Sequence, residues 1–140
     1  MIKLTIFGNP TTKKNNQQIV GAGKKKRIIQ SDRYLEYEEM ALWQLKGKGP
    51  KSPIQGPVNV KCIYYRKTRH RVDLVNLLNA TLDILTSAKV IEDDNCKVVD
   101  GIDGSRVRYD KENPRVEIEI TEKTECLNEI YSPNIKGNCR

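Results

Sequence analysis

Between Arg69 and Asp94 the chain reads RHRVDLVNLLNATLDILTSAKVIEDD, a basic run leading into an apolar stripe with carboxylates at both ends. Asp73 stands where the stripe begins, and Glu92, Asp93 and Asp94 stand beyond its end. Carboxylates brought side by side repel one another unless a cation balances them. A hard divalent ion such as magnesium does this through one or two carboxylates while keeping most of its waters. Beside cationic side chains, such a site suits metal-assisted chemistry on a phosphate. Local pattern alone also allows a plainer reading, in which Asp73 is only a helix cap and Glu92-Asp93-Asp94-Asn95 only an acidic turn.

The elements between these acids decide whether they meet. Leu74, Leu77, Leu78, Leu82 and Leu85 recur at three-and-four spacing, which predicts a half-buried helix from Asp73 to Thr86. Such a helix rises by roughly 20 Å. An extended return through Lys89, Val90 and Ile91, at about 3.3 Å per residue, would carry the second acidic group back toward Asp73.

Charge is distributed to match. The chain has a formal charge of +7 and a pI near 9.3. Residues 1–72 hold 16 Lys and Arg against 4 Asp and Glu, net +12, whereas residues 73–140 hold 9 against 14, net −5. A basic half followed by an acidic site is the layout that holds a phosphate backbone beside a cation. Three basic clusters carry it: Lys13-Lys14-Asn15, Lys24-Lys25-Lys26-Arg27 after the flexible Gly21-Ala22-Gly23, and Arg66-Lys67-Thr68-Arg69-His70-Arg71 running straight into Asp73. Solvated loop charge is the ordinary account of any one lysine, but not of three clusters together.

Several chemistries are excluded by composition. With His70 as the only histidine, no His-rich metal motif exists, and no Ser-His-Asp pattern or phosphate-cradling Gly-rich loop with Lys-Ser/Thr occurs. Cys62, Cys96, Cys126 and Cys139 lack the paired spacing of a zinc site and read as thiols of a reducing compartment. Neither a long apolar span nor a signal-peptide core appears, so a cytoplasmic location is expected.

The remaining pattern predicts one α+β domain. A strand covers Ile2 to Phe7, followed by a basic hairpin or loop through Ile29. A helix starts at Ser31 with Leu35, Leu42 and Leu45 turned inward and Trp43 at its flank. Gly47 to Pro57 reads as a loop, and Val58, Val60, Cys62 and Tyr64 alternate as a strand. After the central helix, Cys96 to Tyr109 reads as an extended strand bent around Gly101 and Gly104, and Val116, Ile118 and Ile120 as a last one.

The order of Asp73-Leu74-Val75-Asn76, a Leu-rich helix with Asp83, Val90-Ile91-Glu92-Asp93-Asp94 and Val98-Val99-Asp100 resembles the RusA family of Holliday junction resolvases. Leu4-Thr5-Ile6-Phe7-Gly8-Asn9-Pro10 with Lys13-Lys14-Asn15 is similar to the family's first strand and basic loop, and Asn113-Pro114-Arg115 before Val116 to its closing strand. The resemblance spans roughly residues 1 to 121 and leaves 122–140 as a polar tail. It implies a mixed sheet with two main helices, a homodimer acting on DNA four-way junctions, and magnesium, with manganese as a substitute. It also implies a setting in recombination and repair, often on a prophage. Asp73 and Asp94 are its catalytic carboxylates, with Asp93 adjoining them at the metal. The three basic clusters supply the expected DNA-binding set, Lys13, Lys14, Asn15, Lys24, Lys25, Lys26, Arg27, Arg66, Lys67, Arg69 and Arg71.

One departure matters. The family typically reads Asp-Leu-Asp-Asn at the helix start, and its second aspartate holds metal; Val75 stands there instead. Asn79 replaces a lysine often found one turn later. Three readings stay open: Asp93, Glu92 or Asp100 takes over, the metal site is weaker, or cleavage is lost while binding to branched DNA remains.

Overall fold

The computed structural model describes residues 1–13, 17–20, 23, 27–30 and 32–122. Its elements are β1 (Ile2–Phe7), β2 (Gln17–Val20), β3 (Arg27–Gln30), α1 (Asp32–Leu45), β4 (Val58–Arg66), α2 (Leu74–Ser87), β5 (Val99–Gly101), β6 (Arg106–Tyr109) and β7 (Arg115–Glu122). Ser31, the expected start of the first helix, lies outside the described residues, as does the tail beyond Glu122.

Period-two alternation fixes the sheet. In β4, Val58, Val60, Cys62 and Tyr64 are buried while the residues between them are only partly covered. β7 lies antiparallel beside it, pairing Val60 with Ile120, Cys62 with Ile118 and Tyr64 with Val116. β1 adds Leu4 and Ile6 on the outer edge of β7, also antiparallel. Each aliphatic side chain fully buried this way contributes roughly 1.5–3 kcal/mol. On its other side β4 is parallel to β5 near its start and to β6 near its end, giving a mixed five-stranded sheet. β2 and β3 form a separate antiparallel pair.

Two sequence expectations are corrected here. The segment from Cys96 to Tyr109 is two short strands, β5 and β6, interrupted around Gly104, where a positive φ of 88° turns the chain. In α1 the buried side chains are Tyr34, Tyr37, Ala41 and Leu45, whereas Leu35 is 47% exposed. Tyrosines set the inward stripe, and Leu35 is rotated one residue, about 100°, off it.

α2 follows its leucine pattern, burying Leu77, Leu78, Leu82 and Leu85 together with Ala80, Thr81 and Ile84. Thr81 is fixed between the backbone of its own helix and the sheet, since its hydroxyl lies 2.7 Å from the Tyr64 hydroxyl and donates to the Leu77 carbonyl. That polar clasp joins α2 to β4 inside a largely apolar core. No helix among the described residues is long and apolar enough to cross a membrane.

Candidate nuclease site and basic shelf

Asp73 is the N-cap of α2 with extended backbone, φ −83° and ψ 124°, and its carbonyl accepts the Leu77 N–H. Its carboxylate makes no capping bond to the helix backbone; it accepts instead from the Asn76 side-chain amide at 3.2 Å. The simple cap reading therefore does not account for this side chain. Val75, two residues on, is 63% exposed, and Asn79, about one turn beyond it, is exposed too.

The second acidic group is held by the turn after α2. Lys89 adopts a positive φ of 59°, and the N–H groups of Val90 and Ile91 both donate to the Leu85 carbonyl. The return thus begins beside Leu85 rather than running free. Ile54 clasps it, donating to the Val90 carbonyl and accepting from the Glu92 N–H. Gly56 lets this strap pass against the loop's far end, since a Cβ there would strike the Val98 backbone.

Within the loop Asp93 and Asp94 differ in role. The Asp93 carboxylate accepts the Asp94 N–H and the Asn95 side-chain amide, both at 2.8 Å, and these bonds hold its pKa below the ordinary carboxylate value. It is a turn-forming aspartate as well as an acid. Asp94 is shifted the other way: partial burial, then Asp93, then the charge of Asp83 push its pKa up. The loop borders a groove of about 630 Å³ lined by Gln55, Glu92, Asp93, Asn95, Lys97 and Val98.

Asp83 is the acid of α2 that acts on Asp94, and it is ten residues, about 15 Å of helical rise, from Asp73. Its carboxylate also accepts Lys13 Nζ at 2.6 Å, so Lys13, expected to contact DNA, is paired within the protein. Among the described residues no three His, Cys, Asp or Glu side chains are grouped as a ready metal cage. Asp100 sits in β5.

The basic run that precedes Asp73 forms a basic shelf. A cavity of about 410 Å³ between the end of β1, the first turn of α1 and the end of β4 is lined by Asn9, Thr11, Arg33, Arg66, Lys67 and His70, among others. The Arg66 Nη1 donates to the His70 carbonyl at 3.1 Å, while its Nε is sealed from solvent with no hydrogen-bond partner. Leaving a buried donor unmatched costs about 1–3 kcal/mol. Burial, and then the charge of Arg33, lower the Arg66 pKa. Next along the shelf, Arg69 stacks on Tyr109 with its guanidinium 4.2 Å from the ring centre.

These features follow the order expected of one family, and the family model for endodeoxyribonuclease RusA matches residues 8–121. The chain belongs to the RusA family. It is thus a member of a family of Holliday junction resolving endodeoxyribonucleases, with DNA as the substrate. No curated protein matches the chain. The RusA match includes the whole stretch from Arg66 to Asp94 and both strands that carry the core beneath it.

Of the expected DNA-binding residues, Arg66, Lys67 and Arg69 line the shelf, and Arg71 is exposed just after them in the chain. Arg27 is placed as the first residue of β3, and Lys14, Asn15, Lys24, Lys25 and Lys26 lie outside the described residues. The roles of two residues escaped sequence reasoning. Asp83 follows the buried Leu82 directly and so falls on the partly exposed side of α2, which the stripe itself could have shown. Arg33 occupies the first turn of α1, where the helix dipole disfavours a cation, and that mismatch was its signal.

Proposed function

We propose that this RusA-family chain is a magnesium-dependent, structure-selective endonuclease of the cytoplasm that acts as a homodimer on four-way junctions. Asp73 and Asp94 are its catalytic carboxylates, with Asp93 assisting, and residues 1–121 form the working domain. The observation that carries this reading is the family match over residues 8–121, which spans Asp73, Asp93 and Asp94; Asp94 is also crowded, its carboxyl pushed up by slight burial and then by Asp93 and Asp83. A cation relieves that crowding. The donors are carboxylate oxygens offered one or two at a time, the set that magnesium takes while keeping water and contacting phosphate; manganese would substitute.

Bound magnesium would neutralise charge on the scissile phosphate and make a bound water more acidic. The chain's own residues position and exclude. Asp93 locks the turn that presents Asp94. Asp73, not engaged in capping, offers its carboxylate at the end of the basic run. Arg66, Lys67, Arg69 and Arg71 place the backbone without reading its sequence. The dimer contact is assigned to the outer side of α1, where Leu35, Met40 and Trp43 are exposed among charged residues beside a groove shared with Ala88 just after α2. Two-fold symmetry would present two sites to two opposed strands.

A second reading, a branched-DNA binder that no longer cuts, is favoured by the exposed Val75 where the family has a metal-binding aspartate. Labelled four-way junction and linear duplex of the same sequence, each with and without magnesium or manganese, separate the two. Paired metal-dependent cuts on the junction alone support the nuclease; tight binding without cuts supports the binder. In the nuclease case Asp94→Asn abolishes cleavage and leaves junction binding equal or tighter, since it removes negative charge. Equal loss of both would remove Asp94 from the role given to it.

A further inference from the structure

We propose that the pocket between Arg33 and Arg66 is a built phosphate site that holds one backbone phosphate of the DNA, a short fixed distance from the bond that is cut. The proposal rests on the nuclease reading above and gives one feature of the basic shelf a defined ligand.

The pocket gathers cations and supplies no anion. Arg33 enters from α1, Arg66 and Lys67 from the end of β4, and His70 from the segment that follows, while no carboxylate lines the cavity. Neither arginine has an ion-pair partner among the described residues. Elsewhere Arg115 is held by Asp110 and Glu117, and Arg69 by the Tyr109 ring. Arg66 is held differently. One nitrogen is anchored on the His70 carbonyl, which fixes the plane of the guanidinium, and the sealed Nε is left without a partner. A planar fork with spare donors is suited to the two oxygens of a phosphodiester.

Neutral donors complete the wall. Asn9 accepts the Lys67 N–H through Oδ1, so its NH₂ is the end left for a ligand. Thr11 is set in place by its hydroxyl bond to the Asn9 carbonyl. Two arginines facing each other in a partly desolvated pocket repel, and a bound anion converts that repulsion into attraction.

Location gives the pocket its use. His70 is three residues before Asp73, at most about 10 Å of chain. Phosphates of one strand are spaced by about 3.4 Å of helix axis. A phosphate in the pocket therefore sets the scissile one within about three nucleotides of it, and fixes which bond reaches the carboxylates.

Arg33→Glu tests this with effects of opposite sign. Arg33 is an exposed helical residue, so the fold tolerates the change, and the new carboxylate faces Arg66 in place of a phosphate. Inorganic phosphate at ten times its Kd should raise the Tm of the native protein by roughly 5 °C over chloride at equal ionic strength. It should do little for the Arg33→Glu variant, whose Tm without phosphate is already higher. That variant should bind junction DNA at least about ten-fold more weakly, and its log–log salt slope should fall by about one. Arg66→Lys, which keeps charge but loses the fork, should show the same direction with a smaller loss.

Native-like DNA affinity and slope in both variants, in a protein that does bind DNA, would overturn the pocket while leaving the nuclease reading intact. Phosphate stabilisation in a protein that binds no DNA would overturn both the nuclease reading and the assignment of this ligand to a backbone.

Discussion

Lys13 Nζ donates to the Asp83 carboxylate at 2.6 Å, tying the segment after β1 to the middle of α2, 70 residues away in sequence. The same carboxylate raises the pKa of Asp94, so one acid serves both as an anchor for a basic loop and as a neighbour of the candidate site. Both partners are partly exposed, 35% and 41% for their side chains, so the pair stabilises the fold by no more than about 1 kcal/mol. Asp83→Asn should therefore cost at most that amount in urea denaturation. It should also release Lys13 and remove a negative charge, tightening metal-free junction binding several-fold in fluorescence anisotropy. A large loss of stability with no change in binding would contradict this account of the pair.

Val75→Asp should restore a carboxylate to the exposed start of α2 at little cost to folding. The side chain is 63% exposed, and an acid in a first helical turn is favourable by roughly 0.3–1 kcal/mol. If the natural protein is a nuclease with a weakened metal site, the magnesium needed for half-maximal cleavage should fall by about ten-fold or more. If it is a binder, cleavage should appear only in the variant. An unchanged magnesium requirement in an active protein would mean that another carboxylate already fills the place.

Much of this architecture is legible in the sequence because it is written in local periodicity. Val58, Val60, Cys62 and Tyr64 face one way at period two, and Leu77, Leu78, Leu82 and Leu85 repeat at helical spacing, so β4 and α2 are both recoverable. The face of α1 is only partly so: Leu45 is buried and Leu42 packs against the core, but Tyr34 and Tyr37 bury their rings while Leu35 beside them does not. The Arg33–Arg66 pocket is beyond any local pattern, since its walls come from three elements that meet only when the sheet and α1 pack. The path from α2 to Asp94 is likewise set by two amides converging on the Leu85 carbonyl and by the Ile54 strap, neither of which leaves a periodic trace.

The Tyr64–Thr81 clasp should matter more to stability than its single bond suggests. Both residues are buried, the oxygens are 2.7 Å apart, and burial drives the Tyr64 pKa up, so the hydroxyl stays neutral. Tyr64→Phe leaves the Thr81 hydroxyl its bond to the Leu77 carbonyl, and should cost about 1 kcal/mol. Thr81→Val leaves the phenol buried without its partner and should cost more, about 1–3 kcal/mol. Urea denaturation of both variants checks the order, and a Tyr64→Phe cost exceeding that of Thr81→Val would reverse it.

Cys62 and Cys96 should separate cleanly by reactivity. Burial pushes the Cys62 thiol up to about 12, whereas Cys96 is exposed. Only thiolate reacts with iodoacetamide, so brief labelling at pH 8 followed by peptide mapping should mark Cys96 and spare Cys62 until urea unfolds the chain. The same shift predicts the sign of a pH effect. The unfolded thiol loses its proton near 8.5, so the folded state binds more protons than the unfolded state above that value. Stability should be full below about pH 8.5 and decline progressively as pH rises toward 12. Replacing Cys62 with alanine creates a small cavity but removes this ionisation, so the variant should begin from a lower stability and lose less of it between pH 8 and 10. An equal decline in both proteins would show that Cys62 does not carry the alkaline dependence.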